Sequence, residues 1–465
     1  MGGMATNHPT TEQQPAPLRG ELAPTASSPA LTLTAALLGF ALITLDASVV
    51  TVALPAIGDA LGGGMSGLQW VVDAYTLAFA ALMLSTGAFS DRAGASRAYA
   101  GGITVFTLAS AACGLAPNLP VLIGARVVQG VAAAVVLPAS LALVRQAYAQ
   151  PARRARAVAA WAAGGSVAVA LGPVAGGVLT TAWDWRGVFF INLPLGAVAL
   201  LLLVRAPRSQ RRPAPLDLPG QVTAVVALTA LTFAVIEDGP WALAALVVAV
   251  VAAVAFVRTE ARQPHPVVPL GLFRDRNVSV AVAAGAACSV AFYGVVFVFS
   301  LFFQQVQGRS ALYTGLMFLP MTGLIAVTNV VAGRLAARHG ARLPMVAGQG
   351  LAALGMLLLL TVGEDTSPLL VAASLVPMAL GCALTVPPLT AVMMDAVPAE
   401  RAGLAAGVLN AARQVAGGLG IALFGTLISG SFLGGMRASL GVGAALLTVT
   451  GLLGLRLAGS SGRSS

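Results

Sequence analysis

From residue 31 onward the chain is a succession of apolar runs, each about long enough to cross a lipid bilayer. A helical span needs roughly 20 apolar residues to cover about 30 Å of hydrocarbon. Fourteen runs of this kind can be marked, at 31–55, 69–89, 98–116, 120–146, 157–181, 187–204, 218–236, 241–257, 277–303, 314–333, 343–362, 369–394, 404–428 and 438–457. Backbone donors and acceptors in hydrocarbon must be satisfied within the segment itself, so each run is expected to be a helix. The fold class that follows is an all-α polytopic membrane protein.

Composition excludes the soluble alternatives. Only 9% of the 465 residues are charged and 58% are hydrophobic, against about 25% charged in a soluble domain. Too little polar surface exists to wrap such a core in water. A soluble enzyme, a nucleic-acid binder and a disordered chain are therefore excluded, despite the net charge of +10. Residues 1–30 are polar and read as a disordered cytoplasmic tail without a signal peptide. Residues 458–465 read as a second tail.

The positive charge has an orienting pattern. All 26 basic residues are Arg. Without Lys no P-loop can form, because that motif places a Lys on the phosphates. Counted over alternate connecting segments and helix ends, 21 Arg fall on the side of the N-terminus and three (Arg186, Arg309, Arg437) on the other. Arg-rich segments stay cytoplasmic. Both termini are expected inside a bacterial inner membrane, with the lipid bilayer as the main partner and no nucleic acid bound. The three Cys (Cys113, Cys288, Cys382) lie far apart in apolar runs and read as small packing residues.

An internal echo divides the chain. Gly87, Arg92 and Gly94 are expected in the loop that closes the second run, and Gly333, Arg338 and Gly340 in the loop that closes the tenth, at the same spacing. Leu137-Pro138-Ala139-Ser140-Leu141 is echoed by Pro387-Pro388-Leu389-Thr390-Ala391. Two six-helix halves, 31–204 and 277–457, with an extra helix pair in the linker 205–276, accommodate both echoes. Repeats of this kind build transporters whose binding site lies where the halves meet.

Ionisable groups inside the runs are few: Asp46, Asp73, Arg126 and Arg413. Each is costly in lipid and so points to function. At about 1.5 Å per residue, Asp46, Asp73 and Arg126 fall at similar depth in the outer part of the first half, where an Arg and one or two carboxylates should pair. Such a cluster suits proton coupling, because Arg holds a nearby Asp ionised until it is displaced or enclosed. Arg413 lies near midplane, flanked by Asn410 and Gln414, with no obvious acid partner in its half. Together with Gln129 and Asn329, these polar groups are candidate cavity-lining, substrate-binding residues, or interhelical hydrogen-bond residues. Gly172, Pro173, Gly176 and Gly177 in the fifth run predict a kinked, closely packed helix able to act as hinge or seal.

These residues together resemble the major facilitator superfamily, and within it the fourteen-span drug:proton antiporters. Leu45-Asp46-Ala47-Ser48-Val49-Val50-Thr51-Val52-Ala53-Leu54-Pro55 is similar to the family's first-helix motif, with Ser48 and Thr51 where Thr and Asn are usual. Trp70-Val71-Val72-Asp73-Ala74-Tyr75 resembles its second-helix opening. Gly87, Asp91, Arg92, Gly94 and Arg97 resemble its gating loop, with Ser96 at one usually basic position. Arg126-Val127-Val128-Gln129-Gly130 resembles the fourth-helix motif linked to proton transfer. Gly172-Pro173-Val174-Ala175-Gly176-Gly177 resembles the antiporter motif, with Ala168 where a Gly usually precedes it. Trp185-Arg186, Phe189, Asn192, Pro194 and Gly196 resemble the entry to helix 6.

The resemblance implies a major facilitator fold of fourteen helices. It also implies alternating access, with inward proton flow driving out a small drug or antibiotic. No cofactor is implied beyond the coupling proton, and a monomer is expected. Asp91 and Arg92 would hold the outward-facing state through contacts on the inner face. A proton symporter or uniporter for a small metabolite remains the rival reading. A membrane enzyme is a remote one, because His8, His265 and His339 pair with no Cys or carboxylate cluster at ligand spacing.

Overall fold

The computed structural model describes residues 28–204, 209, 217–263, 266, 268–397 and 402–456. The expected tails at 1–30 and 458–465 lie largely or wholly outside the described residues. Thirteen of the fourteen apolar runs each overlap one helix, and the run at 187–204 is divided between two. In order these are α1 (Pro29–Leu61), α2 (Gly64–Ala93), α3 (Ala95–Gly114), α4 (Leu119–Ala147), α5 (Pro151–Ala182), the short α6 (Gly187–Phe190) leading into α7 (Asn192–Leu203), α8 (Leu218–Ile236) and α9 (Pro240–Arg262). The second part continues with α10 (Arg276–Leu301), extended by one π turn over Phe302–Val306, then α11 (Ala311–His339), α12 (Arg342–Leu359), α13 (Pro368–Asp395), α14 (Ala402–Gly430) and α15 (Phe432–Gly454). Among the described residues, eleven helices are long and apolar enough to cross a membrane, or twelve if the bent α2 is counted as one span. The other two stretches, α3 and Gly187–Leu203, do not reach that standard.

Helix ends carry clear local signals. Asn118, Asp217, Asp275, Ser310 and Ser367 each accept a backbone N–H of the first turn from their side chains, and Pro occupies the first turn of six helices, including α1, α4 and α5. The repeat seen in the sequence is structural. Gly94 ends α2 at φ 87° and Gly340 ends α11 at φ 79°, the left-handed side that glycine alone adopts without strain. The echo residues expected in loops therefore sit at helix ends: Gly87 and Arg92 lie within α2, and Gly333 and Arg338 within α11.

α1–α7 pack as one bundle and α10–α15 as another. The two meet where α5 lies on α11 and α2 on α14. α8 and α9 pair with each other, and α8 lies over the α2–α14 seam. At its far end Glu237 Oε1 accepts from Ser66 Oγ (2.6 Å) and Trp70 Nε1 (3.0 Å) of α2, and the Val235 carbonyl accepts from Thr426 Oγ1 of α14 (2.7 Å). The extra pair thus holds both bundles at one level.

Candidate functional site

The most polar point of the first bundle is fully buried. Asp46 (α1), Arg126 and Gln129 (α4) and Asn192 (α7) are each 0% exposed. Arg126 and Gln129 are three residues apart, so helical geometry puts them on one face. An Arg126 guanidinium nitrogen, Nη1, lies 2.5 Å from Asp46 Oδ2 and donates also to Gln129 Oε1 (2.9 Å). Asp46 Oδ1 accepts from Asn192 Nδ2 (2.7 Å) and Gln129 Nε2 (3.2 Å). Arg126 Nε donates to the Val71 carbonyl (3.0 Å), and the guanidinium lies over the Tyr75 ring at 4.3 Å. The carboxylate is thus held by one cation and two amides in a medium where an unpaired charge costs several kcal/mol.

Of the one or two carboxylates expected beside Arg126, the structure brings Asp46 to it and sets Asp73 apart. That carboxyl is also 0% exposed, yet neither oxygen has a hydrogen-bond partner among the described residues. Helical rotation explains this. Tyr75, which faces Arg126, is two residues on from Asp73 and so about 200° round α2. Asp73 points instead to α14, where a Cβ on Gly418 would lie 3.3 Å from its Oδ1. Asn192, Ser110 and Cys113 were not foreseen in the cluster. Ser110 Oγ accepts from Asn192 Nδ2 (2.9 Å), and Cys113 Sγ donates to Gln129 Oε1 (3.3 Å). The spacing of Ser110 and Cys113, three apart in α3, was the available signal.

A cavity of about 1580 Å³ lies between the bundles. Its wall reaches Asp91, Arg145, Gln146, Met394 and Leu404 at the Arg-rich helix ends and stops inward at Thr51, Pro173 and Val296. It is therefore open toward the Arg-rich end and shut at the other. Of the candidate substrate residues, Asn410, Arg413 and Gln414 line it. Gln129 and Asn329 do not: Gln129 is spent on the ion pair, and Asn329 sits on α11 away from the wall with its Oδ1 buried and unbonded. Among the described residues no three His, Cys, Asp or Glu are grouped to hold a metal.

The shut end is made by the helix-5 glycines. A Cβ on Gly172 or Gly176 would run into Ser48 or Val49 of α1, and one on Gly177 into the Ala311 carbonyl of α11. Gly315 of α11 in turn lies against the Pro173 carbonyl. Backbone contact on two sides gives a seal that larger side chains would hold apart. Thr181 Oγ1 accepts from the Leu312 N–H (3.2 Å) across it, and Gln69 Nε2 donates to the Ala422 carbonyl (2.5 Å) between α2 and α14. At the open end Asp91, Arg92 and Arg97 are exposed, and none of the three makes an ion pair among the described residues. Ser96 meets Ser209 of the connection before α8, Oγ to Oγ at 2.9 Å.

Two packed helical bundles, a cavity open to one side and a buried charge cluster beside it define a secondary transporter, not an enzyme. The chain belongs to the Major Facilitator Superfamily, whose profile matches residues 36–421 and 327–462. It is 40% identical over 408 residues to the multidrug resistance protein Stp of Mycobacterium tuberculosis, covering 86% of this chain and 76% of that one. It is 36% identical over 404 residues to the methylenomycin A resistance protein of Streptomyces coelicolor, covering 85% of each. Its fold matches a bacterial homologue of the human lysosomal transporter Spinster in an inward-facing, occupied conformation, with TM-score 0.70, 16% identity and coverage of 92% and 96%. A D-xylose–proton symporter matches with TM-score 0.70, 14% identity and coverage of 94% and 100%.

Proposed function

We propose that this protein exports a small drug or antibiotic from a bacterial cell in exchange for protons, by rocking of the two bundles about the central cavity. The names of the relatives at 40% and 36% identity point to export. The observation that carries the coupling mechanism is the segregation of Asp46. Its carboxylate lies in the first bundle with Arg126, Gln129 and Asn192, outside the wall that cargo touches. In this reading cargo and proton are coupled through helix movement and not by competition for one site. One proton entering down the membrane potential supplies about 2.3 kcal/mol per 100 mV, and the pH difference adds to it.

In this reading the Arg-rich end is cytoplasmic, both termini are inside, and the described state faces inward. α3, of 20 residues, and the α6–α7 stretch are the thirteenth and fourteenth spans. Residues 31–204 and 277–457 are the moving halves, and 205–276 carries the extra pair. Asp73 is a second proton-carrying group: a bare carboxylate with no donor among the described residues at the α2–α14 seam is costly, and a proton lowers that cost by removing the charge. The gating residues Gly87, Asp91, Arg92, Gly94 and Arg97 re-form their contacts when the inner end shuts. Pro173 and Gly177 part from Gly315 and Ala311 of α11 when the outer end opens, while Gly172 and Gly176 keep α5 on α1. The unit is a monomer, with protons as coupling ions and no cofactor.

The test is accumulation of a panel of antibiotics in cells with and without the protein. Expression should lower accumulation of at least one compound, and an uncoupler should abolish the difference. A difference that survives the uncoupler overturns proton exchange. Gradient-driven entry of the compound instead of exit establishes the symport reading.

A further inference from the structure

The deep cavity wall holds one charged group among the described residues, and it is a cation without a counter-ion. Arg413 stands eleven residues inside α14 from Ala402, about 16 Å along the helix axis. The other charged wall residues, Asp91, Arg145 and Asp217, lie two residues from the end of α2, two from the end of α4, and at the start of α8. All three therefore belong to the mouth. Arg413 makes no ion pair among the described residues, and its Nε is buried with no hydrogen-bond acceptor. Acids elsewhere in the bundles do not serve it. Asp46 is committed to Arg126, and Asp73, on the neighbouring α2, lies at the level of Gly418, about 7.5 Å further along α14.

The surroundings form a seat for this cation. The Arg413 Cγ rests where Gly285 of α10 has no side chain, with 3.2 Å to a Cβ built there. Tyr293 Oη donates to Gln414 Oε1 (3.5 Å), which orients the Gln414 amide beside it, and Asn410 lines the wall one turn away. Facing these donors, Phe40 and Trp161 stack at 4.2 Å in the opposite wall, with Phe292 and Val296 nearer the closed end. Buried polar groups ordinarily find partners. A guanidinium fork matches a carboxylate in two parallel bonds, and the orphaned Nε–H is satisfied by an acceptor that arrives with the cargo.

We infer that the cargo is an amphiphilic organic acid, its carboxylate or equivalent anion held by Arg413 with Gln414 and Asn410, and its apolar body against Phe40 and Trp161. This rests on the export reading and names the chemical class of what is exported.

The test uses purified protein in inside-out vesicles under an imposed pH gradient. The probes are carboxylates (fusidate, mycophenolate, nalidixate and 1-naphthoate), each with its methyl ester, together with chloramphenicol and ethidium. Acids should be taken up at least about tenfold better than their esters, a preference of about 1.4 kcal/mol. R413Q should abolish that preference while keeping the wild-type melting profile, and R413K should restore much of it. Equal or better transport of the esters, chloramphenicol or ethidium overturns the inference while leaving export intact. Restored acid transport in the D73N/R413Q double variant also overturns it, because it makes Asp73 the counter-ion. Absence of any gradient-driven uptake in the wild type strikes at the export reading itself, and the inference falls with it.

Discussion

Arg126 and Asp46 touch across α4 and α1 with both side chains fully buried, and the same guanidinium reaches the backbone of α2 at Val71. One cation thereby fixes the carboxylate and ties three helices of the first bundle. Asp46→Asn should abolish gradient-driven export while the protein still inserts. It should also lower stability, because removing one partner of a buried pair costs about 3–5 kcal/mol. Adding Arg126→Gln should recover part of the melting temperature without recovering transport. Thermal unfolding in detergent beside vesicle export separates the two effects, and undiminished export by the Asn variant would remove Asp46 from coupling.

Asp73 should behave in the opposite way. Its carboxyl has no donor to lose, so Asp73→Asn removes only the burden of a chargeable group. The variant should melt at or above the wild-type temperature while export per proton changes. Proton and drug fluxes measured together in proteoliposomes read the change. A fall of stability by several kcal/mol, as for Asp46→Asn, contradicts the placement at the α2–α14 seam.

The seal at Gly177 should fail by crowding. A Val there must push its Cβ against the Ala311 carbonyl, and overpacking typically costs about 1–3 kcal/mol. That penalty falls only on the state with this end shut. The balance between the two states should therefore move by roughly tenfold to a hundredfold toward opening there. Alkylation of a cysteine placed at Thr51, reached from the non-Arg side, should speed up accordingly in the Val variant.

Glu237 should matter for stability more than for transport. It accepts two hydrogen bonds from α2 through one oxygen, and bonds to a charged group contribute about 1.5–3 kcal/mol each. Glu237→Ala should lower the melting temperature by several degrees and loosen the α8–α9 pair, visible as faster proteolysis of the 205–276 segment. Export under the same gradient should stay within about twofold, because the pair touches neither Asp46 nor the cavity floor.

Much of the helical layout was legible because bilayer thickness sets run length. The run at 218–236 coincides with α8, and the others overlap their helices, which commonly extend past the apolar stretch as Arg-bearing turns. The pairing of Asp46 with Arg126 was also legible, since two opposite charges at one depth in oil have little choice of partner. That Asp73 faces α14 and not Arg126 was not legible, because depth along a helix says nothing about which way round it a side chain points. Gln129 and Asn329 were left between cargo and interhelical contact for a related reason: polarity marks a residue as needing a partner but does not say whether that partner is protein or ligand.

The amino-acid order alone determined that this chain lives in a membrane, which loops bear the Arg, where it repeats, and which charges must be reconciled with hydrocarbon. These follow from transfer energies and helical rise, both local properties. Only the tertiary structure decided that Asn192 completes the carboxylate's shell, that Gly177 and Gly315 close one end, and that Arg413 faces the cavity with no ion pair among the described residues. Those facts depend on the rotation of one helix against another, which is set by packing between residues more than a hundred positions apart.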